Sequence, residues 1–592
     1  MMCWAAGSEL QARNIYLDTG GTSLWNKDGA AFFVHSWGGA AEADLKMTAK
    51  DGDIYEAAIP DDNTKVIFVR MPGTAAALDW SGKWNQTADL TIPDGQDMYT
   101  ITGWGEADGI WSAYSQSSNG DNGKDSQSGG ITDSAADFAT AVPAECEDIM
   151  LQAFYWDSHV NRGFGDTKWQ TLFQQANEIG EWFTLVWLPP SARPSGISSG
   201  LGYIPDDYSN QSSNLGLKAH LQFLLKALHD RNVRVLADIV INHCGNYNNK
   251  CNFFELDFGS FGKFNPDKNW ITSDDEGGCG SSGHKDDGQH EANYGSARDW
   301  DHRNTQVQAM CKAYLQWMRK EMLYDGFRFD YCGGYNVSHL NDYLAAAKPY
   351  FSVMEYWYGD AATLKTRIEE AGRSTLAFDF ANMYTALRDG IAKSNYLNCM
   401  NAGLRGQGYS KYAVTFVDNH DTFNRSDNNV TDFCGKGDGS SINNKSAVLQ
   451  ANAYILSLPG VPCVFWPHWV KYKTDIQKMI TARRKAGIHS ESRVEEMGGK
   501  GFYEAIVHGK HGQVILYLGA SASKPAPEGF SAASVGTNYA MYYSTSGTAL
   551  HNIAGNSTAP DWSRPVYSIT GQQVDRSYKG VVIQDNRKYM LY

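Results

Sequence analysis

Four short stretches of the 592-residue chain end in side chains that could do chemistry. In DGFRFDYCGG, Arg328 and Asp330 stand two apart inside an apolar run, so in a strand they point to the same side. VRVLADIVINH ends at Asn242 and His243, FSVMEYW carries Glu355, and YAVTFVDNHD ends at His420 and Asp421. A single carboxylate at such a place is commonly a helix cap or a surface residue. Several of them, each closing a buried run beside a His or an Arg, are hard to explain by packing, because buried charge is costly unless paired. Carboxylates with neutral histidines and one arginine, and with no Ser nucleophile elbow or Cys–His pair, suit cleavage of a glycosidic bond. One carboxylate attacks, and another gives a proton to the leaving oxygen. The proton donor needs a raised pKa while the nucleophile stays ionised, which an adjacent arginine favours. A further carboxylate can stabilise the positively charged transition state. Hydrolysis at a catalytic metal is the competing reading, but no HExxH or clustered His pair supports a zinc site.

These residues need rigid elements to bring them together. From about residue 148, apolar runs that read as buried strands (IMLQAFYW, FTLVWLPP, VRVLADIVINH, FRFDYC, FSVMEYW, TLAFDF, YAVTFVDNHD, PCVFW) alternate with amphipathic helical patterns such as LKAHLQFLLKALHDR. Strand–helix alternation repeated about eight times predicts an α/β fold, a (β/α)8 TIM barrel, whose site forms at the C-terminal ends of the strands. The expected organisation is an N-terminal antiparallel β domain over 1–114 and a Gly/Ser-rich flexible linker over 115–143. The catalytic barrel then spans 144–490, with an irregular inserted subdomain at 244–298. A C-terminal antiparallel β domain covers 491–560, and a separate strand-like tail covers 561–592.

Composition narrows the partners. A net charge of −15 argues against nucleic acid and fits a neutral ligand. The 18 Trp and 32 Tyr include enough flat surface to stack on sugar rings. No apolar run reaches bilayer-spanning length. Ten cysteines imply no disulfide scaffold, although Cys244, Cys251 and Cys279 fall in one loop region and could pair there. MMCWAAGSEL shows no intact signal peptide, which leaves a cytoplasmic chain, one that begins after a cleaved leader, or a misplaced start.

DIVINH, GFRFD, VMEYW and FVDNHD resemble, in order and spacing, the four signature segments of the α-amylase family, glycoside hydrolase family thirteen. TLVWLPPSA, GYIP, FDF and LPGVPCVFW add secondary matches, and ARRKAGIHS with YEAIVHGKHGQVILYLG is most similar to plant-type members. The resemblance covers about residues 148–519. It implies Asp330 as nucleophile, Glu355 as general acid/base and Asp421 as transition-state stabiliser. It further implies that Arg328 orients Asp330, that His243 and His420 bond sugar hydroxyls, that Tyr203 stacks under the ring at the cut, and that Trp357 lines the leaving-group side. A structural calcium is implied, held by Asn242, Asp299 and the carbonyls of Ala292 and Gly334. Three departures stand out. Gln289 replaces a family aspartate ligand, with Asp286 or Asp287 as substitutes; Gly333 replaces a basic residue used beyond the cleavage point; and FWPHW departs from the usual FYDH type.

The N-terminal residues resemble family-twenty-six starch-binding modules, most plainly in KWNQTADLTIP, which implies a β-sandwich. On one strand face, Phe33, His35 and Trp37 would form a stacking platform with Trp84, and Gln86 would bond hydroxyls. The tail resembles sorting tails of the type IX secretion route, which implies a secreted or cell-surface protein. The expected activity is endo-hydrolysis of internal α-1,4 bonds of starch-like α-glucans with retention, by a monomer. A transglycosylase or debranching enzyme of the same family, and a non-catalytic starch-binding surface protein, are the alternatives.

Overall fold

In the computed structural model, eight short parallel strands close into a barrel in chain order. They are β1 (Met150–Gln152), β2 (Leu185–Trp187), β3 (Arg234–Ile239), β4 (Gly326–Phe329), β5 (Phe351–Met354), β6 (Leu376–Phe378), β7 (Ala413–Phe416) and β8 (Val461–Phe465). The structure describes residues 12–20, 24–51, 53–112, 114, 130–160, 163–195, 200–245, 251–274, 278–291, 294, 297–423, 447–545, 560, 562–563, 565–568, 573–576, 580–584 and 587–591. Residues 115–129 of the linker expected at 115–143 therefore lie outside the described residues.

The expected barrel is the observed one. Every residue of β4, β5, β7 and β8 is buried, which is why these strands read as continuous apolar runs rather than alternating ones. The register sets Asp238 of β3 opposite Arg328 of β4, and Arg328 opposite Val353 of β5. The helix Thr305–Lys320 starts at Asn304, whose side chain accepts the Gln306 N–H, and buries Val307, Met310, Cys311, Tyr314, Leu315 and Met318 at helical spacing. Asp360 caps the helix Ala361–Glu370 in the same way, through the Thr363 N–H.

Between β3 and that first helix, the described residues hold two-residue strand pairs, His243–Cys244 with Arg298–Asp299 and Leu256–Asp257 with Lys263–Phe264. A Cys251–Cys279 disulfide ties this insertion, while Cys244 remains a buried thiol. After the barrel, Arg493–Gly499, Phe502–His508, Gln513–Gly519, Ser531–Gly536 and Tyr539–Ser544 form a five-stranded antiparallel sheet, against which the helices Ala447–Ser457 and Trp466–Ala486 lie. Four further strands near the C-terminus, Val566–Ser568, Gln573–Val574, Gly580–Gln584 and Arg587–Leu591, make a separate sheet.

The N-terminal residues build two five-stranded sheets. Ile15, Leu17, Ile59 and Tyr99 from one sheet meet Phe32, Val34, Val66 and Phe68 from the other, so the sandwich has its own core. The expected stacking platform needs correction. Phe33 is only 1% exposed, buried with Ala31, Ile67, Val69 and Met71, and cannot present a ring to a ligand. His35 and Trp37 do stack, at 5.0 Å, but the ring that meets His35 edge-on at 5.6 Å is Trp80, to which no strand pattern points. Trp84 is exposed, with the Arg70 guanidinium 4.8 Å from its centroid. Gln86 is half-buried and pairs with Val69. Among the described residues, no helix is long and apolar enough to cross a membrane.

Candidate active site

Arg328, in the middle of β4, is fully buried and carries the site. Its Nη1 donates to Asp238 Oδ1 at 2.6 Å and to Asp330 Oδ1 at 2.6 Å, while its Nη2 lies 2.7 Å from Glu355 Oε1. The Nη1 contacts are aligned hydrogen bonds, and the Nη2 contact is not. The guanidinium also lies 4.9 Å from the Trp187 ring and 5.7 Å from the Tyr203 ring. Three strand ends therefore deliver three carboxyls to one cation. Asp238 follows from the register of β3, Asp330 is the first residue after β4, and Glu355 is the first after β5.

Burial is the largest influence on these acids. It pushes Asp330 and Glu355 up to about 7 and Asp238 up to about 6, against the opposing charge of Arg328. Neighbouring carboxylates push in the same direction as burial: Asp238 and Asp421 on Asp330, and Asp330 and Asp421 on Glu355. Arg328 acts on Asp330 through both its charge and a hydrogen bond, so Asp330 is the better placed of the two to stay ionised. Asp238 is held besides by Trp187 Nε1 at 3.0 Å and the Tyr203 hydroxyl at 2.8 Å.

The turn after β4 is strained and shaped around these groups. Tyr331, next to Asp330, has φ +49°, a left-handed conformation uncommon for a non-glycine residue, and its N–H donates to Glu355 Oε2 at 3.1 Å. His420 is buried and fixed in one tautomer. Gln152 Nε2 donates to its Nδ1 at 3.1 Å, so its Nε2–H faces Asp421 Oδ2 at 3.2 Å. The Asp421 side chain, 25% exposed, is the most open of these carboxylates. Trp156, Tyr203 and His420 lie nearly parallel, with centroids 5.0 to 6.1 Å apart, as an aromatic wall beside the acids.

The other expected ligands sit as follows. His243 has both ring nitrogens engaged within the protein: Nε2 donates to the Tyr203 carbonyl at 2.8 Å, and Asn242 Nδ2 lies 3.2 Å from Nδ1. Burial pulls its pKa down to about 4, so it is neutral, and in this state it holds Tyr203 and Asn242 rather than presenting a nitrogen to a sugar. Trp357 is half-buried, stacked on Phe380 at 4.8 Å, with its indole N–H given to the Tyr384 hydroxyl at 2.6 Å.

Sequence reasoning missed Asp238, Trp187, Trp156, Gln152 and Glu291 as site residues. Asp238 carried a signal, a lone carboxylate inside the apolar run VLADIV; the others carried none. Glu291 is half-buried in the insertion, where burial and then the charge of Glu355 push it up to about 8.

The residues expected to hold a cation fit one made for oxygen ligands. Asn242 Oδ1 is buried with no hydrogen-bond partner among the described residues, and a Cβ on Gly334 would stand 2.3 Å from it, so the space before that oxygen depends on glycine. Asp299 accepts from Asn242 Nδ2 at 3.0 Å and from the Tyr294 N–H at 3.2 Å. Ala292 lies outside the described residues. Gln289 spends its Oε1 on the Val337 N–H, and Asp287 is paired with His339 at 3.1 Å. A Cβ on Gly288 would stand 2.9 Å from Asp286 Oδ2 and 3.0 Å from the Gly334 carbonyl, so of the two substitutes Asp286 is the one beside the expected ligands.

The family model for the α-amylase catalytic domain matches residues 177–351. A probable α-amylase 2 of Arabidopsis thaliana is 29% identical over 429 residues, which cover 67% of this chain and 94% of that protein. An α-amylase type B isozyme of Hordeum vulgare is 34% identical over 135 residues, covering 22% of this chain and 78% of the relative. A glucan 1,4-α-maltotetraohydrolase of Stutzerimonas stutzeri is 28% identical over 411 residues, covering 64% of this chain and 69% of the relative.

Proposed function

Because this chain belongs to the α-amylase family and is a glycoside hydrolase, we propose that it cuts internal α-1,4 bonds of starch-type glucans with retention of configuration. The observation that carries this reading is the single guanidinium of Arg328 spanning Asp330 and Glu355. Carboxyls held by adjacent nitrogens of one arginine suit the close pair of a retaining enzyme, about 5 Å apart, better than the wider pair of an inverting one.

Asp330, kept ionised by an aligned hydrogen bond, attacks the anomeric carbon as Glu355 gives its proton to the glycosidic oxygen. The bond to the leaving sugar breaks and a glycosyl–Asp330 ester forms. Glu355, now ionised, takes a proton from water, and that water displaces Asp330 from the sugar. Asp421 offers its charge to the oxocarbenium-like transition state, with His420 orienting its carboxylate. Tyr203, its hydroxyl spent on Asp238, offers a ring face.

A calcium ion held by Asn242, Asp299, Gly334 and Ala292, with Asp286 nearby, would supply rigidity between the insertion and the β4 turn. In the N-terminal sandwich, Trp37, His35 and Trp80 are the residues that would stack on starch. The Cys251–Cys279 disulfide supports work in an oxidising compartment, consistent with export or display at the cell surface.

The test is a fluorinated glycosyl trap followed by peptide mass analysis. The label should sit on Asp330, and Asp330→Asn should lose kcat by a factor on the order of 10⁴. Near-full activity in Asp330→Asn overturns the reading. Product anomers followed by NMR separate retention from inversion.

A further inference from the structure

We propose that Glu291 is a specificity-determining residue of this site, its carboxyl group hydrogen-bonding a hydroxyl of the sugar on the leaving-group side of the cut bond. The proposal rests on the reading of Glu355 as proton donor. Gln289, His290 and Glu291 are stitched to the turn after β4: the Gly333 carbonyl accepts all three of their N–H groups, at 2.9, 3.1 and 3.1 Å. In return the Gly333 N–H donates to Glu291 Oε2 at 3.1 Å.

Two residues earlier on the same turn, the Tyr331 N–H is given to Glu355 Oε2, also at 3.1 Å. Alternate amides of one short turn therefore hold Glu355 and Glu291 as neighbours, and the Cys332 N–H, at 2.9 Å from the Glu355 carbonyl, fixes the turn against the end of β5. The group that protonates the leaving oxygen must face the departing sugar. A carboxyl held beside it on the same turn faces that sugar too.

The seat for Glu291 depends on a feature of this sequence. A Cβ on Gly333 would stand 2.6 Å from Glu291 Oε2, 2.8 Å from its Cγ and 3.0 Å from its Cδ. No larger residue can occupy position 333 while Glu291 keeps its place. Where the sequence pattern leads one to expect a cation at position 333, the turn after β4 instead meets an acid arriving from the insertion. Unlike Glu355, which is 6% exposed, Glu291 is only half-buried. A carboxyl group accepts from a sugar hydroxyl when ionised and both accepts and donates when protonated, so this contact does not hinge on its charge.

The experiment compares kcat/KM for maltoheptaose, which places sugar on both sides of the cut, with kcat/KM for an aryl α-maltotrioside, whose phenol leaving group offers no sugar hydroxyl. The ratio of the two should fall at least about fivefold in Glu291→Ala, the size expected for losing one hydrogen bond to a carboxyl group. Glu291→Gln, close in shape and still able to hydrogen-bond, should keep a larger share of the ratio, and Glu291→Leu, with the same fall expected, takes the place of Glu291→Ala if the alanine variant does not fold. A smaller fall in Glu291→Ala, or equal losses in the two variants, overturns the proposal. Failure of the catalytic reading looks different: it appears as activity surviving Asp330→Asn.

Discussion

At Arg328, one cation faces three buried acids, so the cluster cannot ionise fully without cost. Asp330 and Glu355 share their protons as a pair, and the apparent pKa values of activity belong to that pair. The working form has Asp330 ionised and Glu355 protonated. Because burial raises both acids to about 7, kcat/KM should fall as pH rises above about 7 and the last proton leaves. A pH–rate profile checks this, and in Glu355→Gln that alkaline fall should disappear from the residual activity. The same shifts bear on stability. An acid whose folded pKa is raised holds its proton more tightly in the folded state. Its contribution is therefore complete below the unfolded pKa, near 4, and is lost as pH rises through about 7. Glu355→Gln removes that loss and should raise Tm at pH 8 relative to the parent while abolishing most activity. An unchanged or lower Tm at pH 8 counts against a proton held at Glu355 by burial.

At the scale of elements, the strands that carry charge were the legible ones. Arg328 and Asp330 broke an apolar run at a spacing of two, and β4 running straight into Asp330 accommodates this with both charges on one side. Asp238 showed as a lone aspartate inside VLADIV, but its role did not, because its partner comes from the neighbouring strand. Glu291 sits in an irregular loop whose path follows hydrogen bonds to Gly333, and no periodicity encodes such bonds. The cation reading belongs at this scale, since Asn242 lies just after β3 while Asp299 follows the insertion. Calcium at about 100 times its Kd should stabilise the fold by about 2.7 kcal/mol. A chelator should therefore lower Tm, and Asp299→Ala should make Tm insensitive to it. A chelator-insensitive parent protein removes calcium from the account.

Across the whole molecule, alternation of apolar and polar residues located the sheets but not the side each sheet covers. Phe33, His35 and Trp37 do share a face of Ala30–Trp37, yet Ile67, Val69 and Met71 bury the first of them and leave only the latter two near the surface. Trp80 lies in a loop with no period to read, and so went unforeseen. If the sandwich holds starch there, Trp37→Ala combined with Trp80→Ala should weaken adsorption to granular starch about tenfold, the worth of one good stacking contact. Equal adsorption in a pull-down places any starch contact elsewhere.

The pairing of Asp238 with Arg328 across β3 and β4 also limits how the gene can vary in length. Successive side chains on a strand face opposite ways, so losing or gaining one codon within Gly326–Phe329 would turn the guanidinium out of the barrel and point phenylalanine rings at three acids. Indels should therefore be purged from these four positions while accumulating in the insertion after β3.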